Sequence, residues 1–168
     1  ADGLESIAQG NLASATGVDA VAIGTTATAN GNSTTAVGGE AVATGAGATA
    51  FGWQSGATAE RAQAFGHLAK ASGVRSTAIG EAANASADFA SALGNQASAG
   101  FANSVAIGNG ATTTRANQVA LGTADNTYTL AGVNSAASTA AQSGPVGLVT
   151  TDQNGNLAAD YSLSSGLT

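Results

Sequence analysis

His67 is the only imidazole in the 168 residues, and Glu81 stands fourteen positions beyond it. An imidazole beside a carboxylate supplies part of the apparatus for general acid–base or nucleophilic chemistry, but that chemistry also needs a nucleophile or a third, orienting group. The chain has no cysteine and its ten carboxylates are scattered, so neither a triad nor a metal cluster can be assembled within one chain. The expectation is no catalysis, no cofactor and no metal. What surrounds His67 is instead a column, because the residue after a glycine recurs at 14-residue intervals as Thr25, Gly39, Trp53, His67, Glu81, Asn95, Asn109 and Thr123. Members one strand spacing apart, about 5 Å, would place His67 against Glu81. Two readings stay open for Trp53, His67 and Glu81: a polar pair at the rim of a subunit contact with Trp53 shielding apolar surface, or a ligand patch. Interface rims commonly have this composition, which favours the first.

Other side chains with chemical interest sit at turns. Phe101 takes a position that other repeats give to Gly or Ala, and Arg115 follows one period later, the spacing for a cation–π contact. Phe89 is also at a turn, so Phe89 and Phe101 are candidates either for an exposed ligand patch or for packing against a neighbouring chain. Arg61 and Arg75 share a column with Glu60 and Asp88 nearby, which reads as a solvated charge cluster. Four Lys and Arg against a net charge of −6 argue against nucleic acid as a partner, since that affinity needs clustered cations. The start of the chain lacks a basic region followed by an apolar run, and nowhere do 18 apolar residues run together, so neither a signal peptide nor a membrane helix is expected. If the parent protein is exported, these residues are expected to be an excised piece of it.

The elements that position these residues follow from periodicity. Ala, then a large aliphatic or aromatic residue, then Gly occurs eight times, ending at Gly24, Gly38, Gly52, Gly66, Gly80, Gly94, Gly108 and Gly122, always 14 apart. A degenerate copy ends at Gly10, as terminal repeats often do, so the array runs from about residue 6 to 122. Small residues recur three and five positions after each glycine, as in Ala27 and Ala29 or Ala69 and Ala71. Side chains two apart share a strand face, so each repeat reads as two short strands. Glycines such as Gly24 and Gly31 fall at strand ends, where a tight turn demands positive φ or a close backbone approach.

Side-chain size then decides direction. A coil of two facing strands is too thin inside for branched side chains, so its filling must be Ala, Ser or Gly. With Ala22, Ala36, Ala50, Ala64, Ala78, Ala92, Ala106 and Ala120 inward, the residues on either side of each point outward. Ile23, Val37, Phe51, Phe65, Ile79, Leu93, Ile107 and Leu121, with Val21, Val105 and Val119 beside three of them, thus form an outward apolar stripe. Nine coils stacked at about 4.8 Å make it about 40 Å long, more than a soluble monomer exposes. Burying eight large side chains contributes roughly 12 to 24 kcal/mol gross, so oligomer formation and folding are expected to be one event.

Stretches such as Asn103-Ser-Val-Ala-Ile-Gly108-Asn-Gly-Ala-Thr resemble the 14-residue head repeats of trimeric autotransporter adhesins of the Yersinia adhesin type, over about residues 6 to 133. The resemblance implies an all-β fold, a left-handed parallel β-roll of two-strand coils, three chains around one axis, and display on a bacterial outer surface at the tip of a stalk. It also implies a division into a β-roll head, 1–122, and a neck-like segment, 115–133. The neck match is looser, since the basic residue and Asn-Val usual there are replaced by Tyr128, Leu130 and Val133. Residues 134–168 are expected, on the same resemblance, to be a connector leading toward a stalk and membrane anchor absent from this sequence. Within it, Ser135 to Gln142 reads as a short helix ended by Gly144-Pro145, and Val146–Thr151 with Asn156–Ala158 as a hairpin with Gly155 in its turn. The last residues are expected to fray.

The functional expectation is a non-enzymatic adhesive head, a homotrimer on the bacterial cell surface that binds host extracellular-matrix proteins or cell-surface receptors through multivalent contacts. A membrane is reached only through the anchor. The alternatives are a structural spacer of a surface fibre and, from another class, an ice-binding β-solenoid. The latter wants a regular Thr ladder, whereas the exposed column here reads Thr28, Val42, Gly56, Lys70, Asn84, Ser98 and Thr112. A left-handed acyltransferase solenoid is disfavoured because its coils run on six-residue rungs and need a catalytic His in a subunit cleft.

Overall fold

A computed structural model of the chain describes residues 1–162, in two compact units, Ala1–Asn126 and a second that begins at Thr127. The expectation that the last residues fray falls on 163–168, outside the described residues.

The first unit is a parallel β-solenoid. One three-residue strand per coil, from Ile7–Gln9 through Val119–Leu121, builds a nine-stranded sheet, and the two-residue strands from Ser14–Ala15 through Ser98–Ala99 build a seven-stranded sheet. Every strand pairs in parallel with the one 14 residues away, so that Ala22 lies beside Ala36 and Ile23 beside Val37, which lies beside Phe51. The register therefore converts the sequence period into columns of like residues. The backbone ladder continues through the turns, with Val21 N donating to Thr34 O at 2.8 Å and Gly38 N to Ile23 O at 2.8 Å.

Four inward columns fill each coil, and every buried hydrophobic residue among them is alanine, 24 in all. Three of the columns are those expected from the spacing. The fourth, Ala20, Thr34, Ala48, Ala62, Ser76, Ala90 and Ser104, is also buried, and the alternation Ala20-Val21-Ala22-Ile23 carries its signal. Methyl groups suffice because backbones facing each other across so thin a layer leave no volume for a branched chain. Where a hydroxyl replaces a methyl it returns to the backbone: Thr34 Oγ1 donates to Gly31 O at 2.6 Å, Ser55 Oγ to Gly52 O at 2.9 Å and Ser104 Oγ to Phe101 O at 2.7 Å. The buried Ser76 hydroxyl makes no such bond.

The turns divide their labour between residues. Gly10, Gly24, Gly38, Gly52, Gly66, Gly80, Gly94 and Gly108 have φ between 122° and 137°, a region closed to other residues, and a Cβ at Gly66 would stand 2.6 Å from the Gly80 carbonyl oxygen. Glycines of the other turn, such as Gly45 and Gly73, are required by close approach alone, since a Cβ there would run into the backbone of Ala59 or Ala87 one coil on. The sequence expectation stopped at the glycines. The structure adds a left-handed residue two places after each turn begins, among them Thr26, Leu68, Arg61, Arg75 and Phe89, with φ of 53° to 59°. Such residues cost about 1 kcal/mol or more each, which the stack must outweigh at every coil.

In the second unit the helix is Ala136–Ala141, where Ser135 caps its start by accepting from Ser138 N at 3.0 Å. The hairpin pairs Leu148–Thr151 with Leu157–Asp160, with Gly155 at φ 77° in its turn. Asp152 closes that turn: its carboxylate accepts the Asn156 side chain at 2.8 Å and the backbone N–H groups of Asn156 and Asn154 at 2.9 Å each. Those bonds, the Asn156 side chain foremost, hold its carboxyl below the usual value of 3.8. Its contribution to the turn is therefore complete above that value and is lost as pH falls through the lowered one.

Two substitutions separate the glycine roles. Gly66→Ala is expected to destabilise the protein by about 3 kcal/mol or more in thermal unfolding, whereas Gly56→Ala, at a strand position where a Cβ meets nothing within 4 Å, should leave stability unchanged or raise it slightly. Equal effects would contradict the turn geometry. Ser76→Ala removes an unsatisfied hydroxyl from a column that elsewhere holds alanine and should raise stability by about 1 kcal/mol. A loss of stability comparable to that of Ser104→Ala would show that the Ser76 hydroxyl has a partner after all.

Candidate functional site

The nine-stranded sheet carries the apolar stripe on its outer face. Ile23, Val37, Phe51, Phe65, Ile79, Leu93, Ile107 and Leu121 follow one another in register across eight strands. None belongs to the core: Phe51 is 54% exposed, Leu121 49% and Ile79 44%, while Ile23, Val37 and Leu93 are half-buried by their column neighbours. The parallel column two residues earlier is apolar towards the ends, at Val21, Val105 and Val119, and polar between them, at Thr35, Thr49, Gln63, Thr77 and Ser91. Val21 and Val105 are half-buried, whereas Val119 is 63% exposed.

At the edge of this sheet that follows the strands, Trp53, His67, Glu81 and Asn95 occupy successive coils. The Trp53 indole stacks on the His67 ring, centroids 4.9 Å apart at 27°. His67 Nδ1 lies 3.4 Å from Glu81 Oε1, and Asn95 Nδ2 donates to Glu81 Oε2 at 3.4 Å. The other side of the indole faces Gly39, where an added Cβ would stand 3.1 Å from Trp53 Cδ1. His67 thus covers one ring face of Trp53, Gly39 leaves room for the indole on the other, and the side chain stays 48% exposed. The arrangement is a braced ladder that flanks the stripe.

The opposite edge, which precedes the strands, is built differently. Arg61 lies 3.4 Å from its neighbour Glu60. Asp88 Oδ1 accepts Val74 N at 2.9 Å, a side chain reaching back one coil to hold a turn amide. The Arg75 guanidinium sits 5.9 Å from the centre of the Phe89 ring. This pairing was missed in the sequence, although the signal was there: Arg75 and Phe89 are 14 residues apart, like Arg61 and Arg75. Phe89 and Phe101 both belong to this edge, so Trp53, His67 and Glu81 are gathered in one column while the two phenylalanines lie at the far ends of the strands. Among the described residues, no three His, Cys, Asp or Glu side chains gather as a metal site would require, and no helix is long and apolar enough to cross a membrane.

Comparison with known proteins identifies where such an arrangement occurs. The family profile of the YadA head domain repeat (two copies) matches residues 1–27, 15–41, 29–55, 43–69, 57–83, 71–97 and 102–124. Among solved structures, the chain is similar to the crystal structure of the collagen-binding domain of the Yersinia adhesin YadA, with a TM-score of 0.61 at 20% identity, covering 98% of this chain and 99% of that one. At that identity the likeness establishes the fold. No curated protein sequence matches.

The stacked pair has an optical consequence. Trp53 is the only tryptophan, so the native emission reports its surroundings alone. His67→Ala removes the stacked ring and should change the intensity and position of that emission. An emission identical to the native one in a folded His67→Ala protein would contradict the stack.

Proposed function

The chain belongs to the YadA head-repeat family, and from that premise we propose that it is the adhesive head of a bacterial surface adhesin that acts as a homotrimer without enzymatic chemistry. The observation that carries this reading is the stripe from Ile23 to Leu121, which no part of the first unit covers. Water-exposed phenylalanine, isoleucine and leucine in register over eight coils are stable only when other copies of the same surface meet them. Three chains, a left-handed coil and a neck role for residues 115–133 are parts of the same proposal, and membership of the family supports them. The contact residues are Val21, Ile23, Val37, Phe51, Phe65, Ile79, Leu93, Val105, Ile107, Val119 and Leu121.

Burying the stripe leaves the polar outer face of the seven-stranded sheet, with Thr28, Lys70, Asn84 and Ser98, presented outward on every subunit. Identical faces on one assembly raise the effective concentration of each further contact, so weak binding to a repetitive host surface becomes firm. Extracellular-matrix proteins fit this description, and the solved relative carries a collagen-binding domain. Three chains would carry three times −6, or −18, which favours basic patches on the partner.

Sedimentation should show one species near three times 15.8 kDa, and Phe65→Glu should dissociate it or prevent folding. Immobilised collagen, fibronectin and laminin should retain the native assembly and lose it when Phe65 is changed. A stable folded monomer would contradict the trimer, and uniform failure to bind matrix proteins or cells would leave the head a spacer.

A further inference from the structure

The stripe is bounded by two unlike edges. In a cyclic assembly each contact is heterologous, so one edge of a subunit meets the other edge of its neighbour, and rotation about an axis along the coil stack keeps every coil at its own level. The partners at each level are then the two ends of one strand. For the strand Thr77–Ile79 these are Arg75, in the turn before it, and Glu81, in the turn after it. We infer that Arg75 of one copy pairs with Glu81 of the next, and that the edge charges of this chain are arranged to hold identical copies at the same level.

Three observations carry this. First, no level brings acid against acid. The leading edge holds Glu5, Asp19, Glu60 and Asp88, and the trailing-edge residues at those levels are Asn11, Thr25, His67 and Asn95. The trailing-edge acids Glu40 and Glu81 meet Ser33 and Arg75. Second, a slip of one coil in either direction breaks the pattern: one way sets Glu40 against Asp19, the other sets Glu81 against Asp88. Like charges in a partly dry contact disfavour both slips, a selection against wrong registers that the stripe alone, apolar at every level, does not make. Third, size follows the same rule. Trp53, the largest side chain of its column, is level with Gly47, the only glycine among the left-handed positions of the other edge from Glu5 to Asn117.

Both groups keep capacity for a further partner. The Arg75 head rests on the Phe89 ring, a contact that uses none of its N–H donors, and the bonds of Glu81 to His67 and Asn95 are both 3.4 Å with the carboxylate more than half exposed. Arg75 and Glu81 stand at opposite ends of one strand, roughly 15 to 20 Å apart along the backbone, beyond direct pairing and beyond the screening length at ordinary salt. Any coupling between them must therefore act between copies.

The test is a double-mutant cycle in the intact chain, and it rests on the oligomer proposed above. Arg75→Glu and Glu81→Arg are each expected to weaken association on the order of tenfold per contact at low salt, and the double reversal to restore most of it. Sedimentation equilibrium reads the association, and circular dichroism checks that each variant keeps its sheet. The neutral set, Arg75→Gln, Glu81→Gln and both together, gives the same cycle where a reversal impairs folding. Effects that simply add, or singles that associate like the native protein, overturn the pairing while leaving the trimer in place. A native chain that sediments as a folded monomer overturns both.

Discussion

The structure depends on the thinness of its coil. Fourteen residues close one turn of two short strands, and the space between the strands admits methyl groups and little else. Ala22, Ala36 and Ala50 in one column, with Ala27, Ala41 and Ala69 facing them from the other strand, are completely enclosed. An alanine core buries little apolar area per residue, so the solenoid draws on two other sources, a continuous parallel hydrogen-bond ladder and whatever covers its large side chains. In the trimer proposed above, the second source is the neighbouring subunits.

The same constraint shapes the turns. A coil this small must reverse direction twice within a few residues, which forces glycine into the extended positive-φ position after each of the first eight long strands and a left-handed residue two places on. Those left-handed residues project from the edges of the nine-stranded sheet. Repetition turns them into columns at the borders of the apolar stripe, so charge and size at the borders are set by the choice of turn residue. Arg61, Arg75 and Phe89 at one border are such residues, while Trp53, His67 and Glu81 at the other each stand one place before one, at Gln54, Leu68 and Ala82, in a turn that specifies backbone but leaves the side chain open.

Much of this was legible because a strict period leaves few arrangements. The columns of alanine, the outward direction of Ile23, Phe51 and Leu93, and the contact of His67 with Glu81 all follow from the 14-residue register and alternation along a strand. The helix near Ser135 and the hairpin around Gly155 were legible from capping and turn residues. What could not be read was conformation without a side-chain signature: Thr26, Leu68, Arg61 and Phe89 share a left-handed backbone, and nothing in their types announces it. The fourth inward column was overlooked because Thr34, Ser76 and Ser104 interrupt its alanines. The braced position of Trp53 was hidden as well, since it depends on Gly39 leaving room on one side while His67 fills the other.

The central claim is that the chain turns its bulky hydrocarbon outward for sister subunits to cover. Replacing Ile79 with cysteine puts one thiol, in a chain that otherwise has none, at the middle of the stripe. In the native assembly alkylation of that thiol should be strongly retarded and should become fast only under conditions that separate the subunits. Alkylation at the rate of a free thiol, in protein that is still folded and undissociated, would contradict the account.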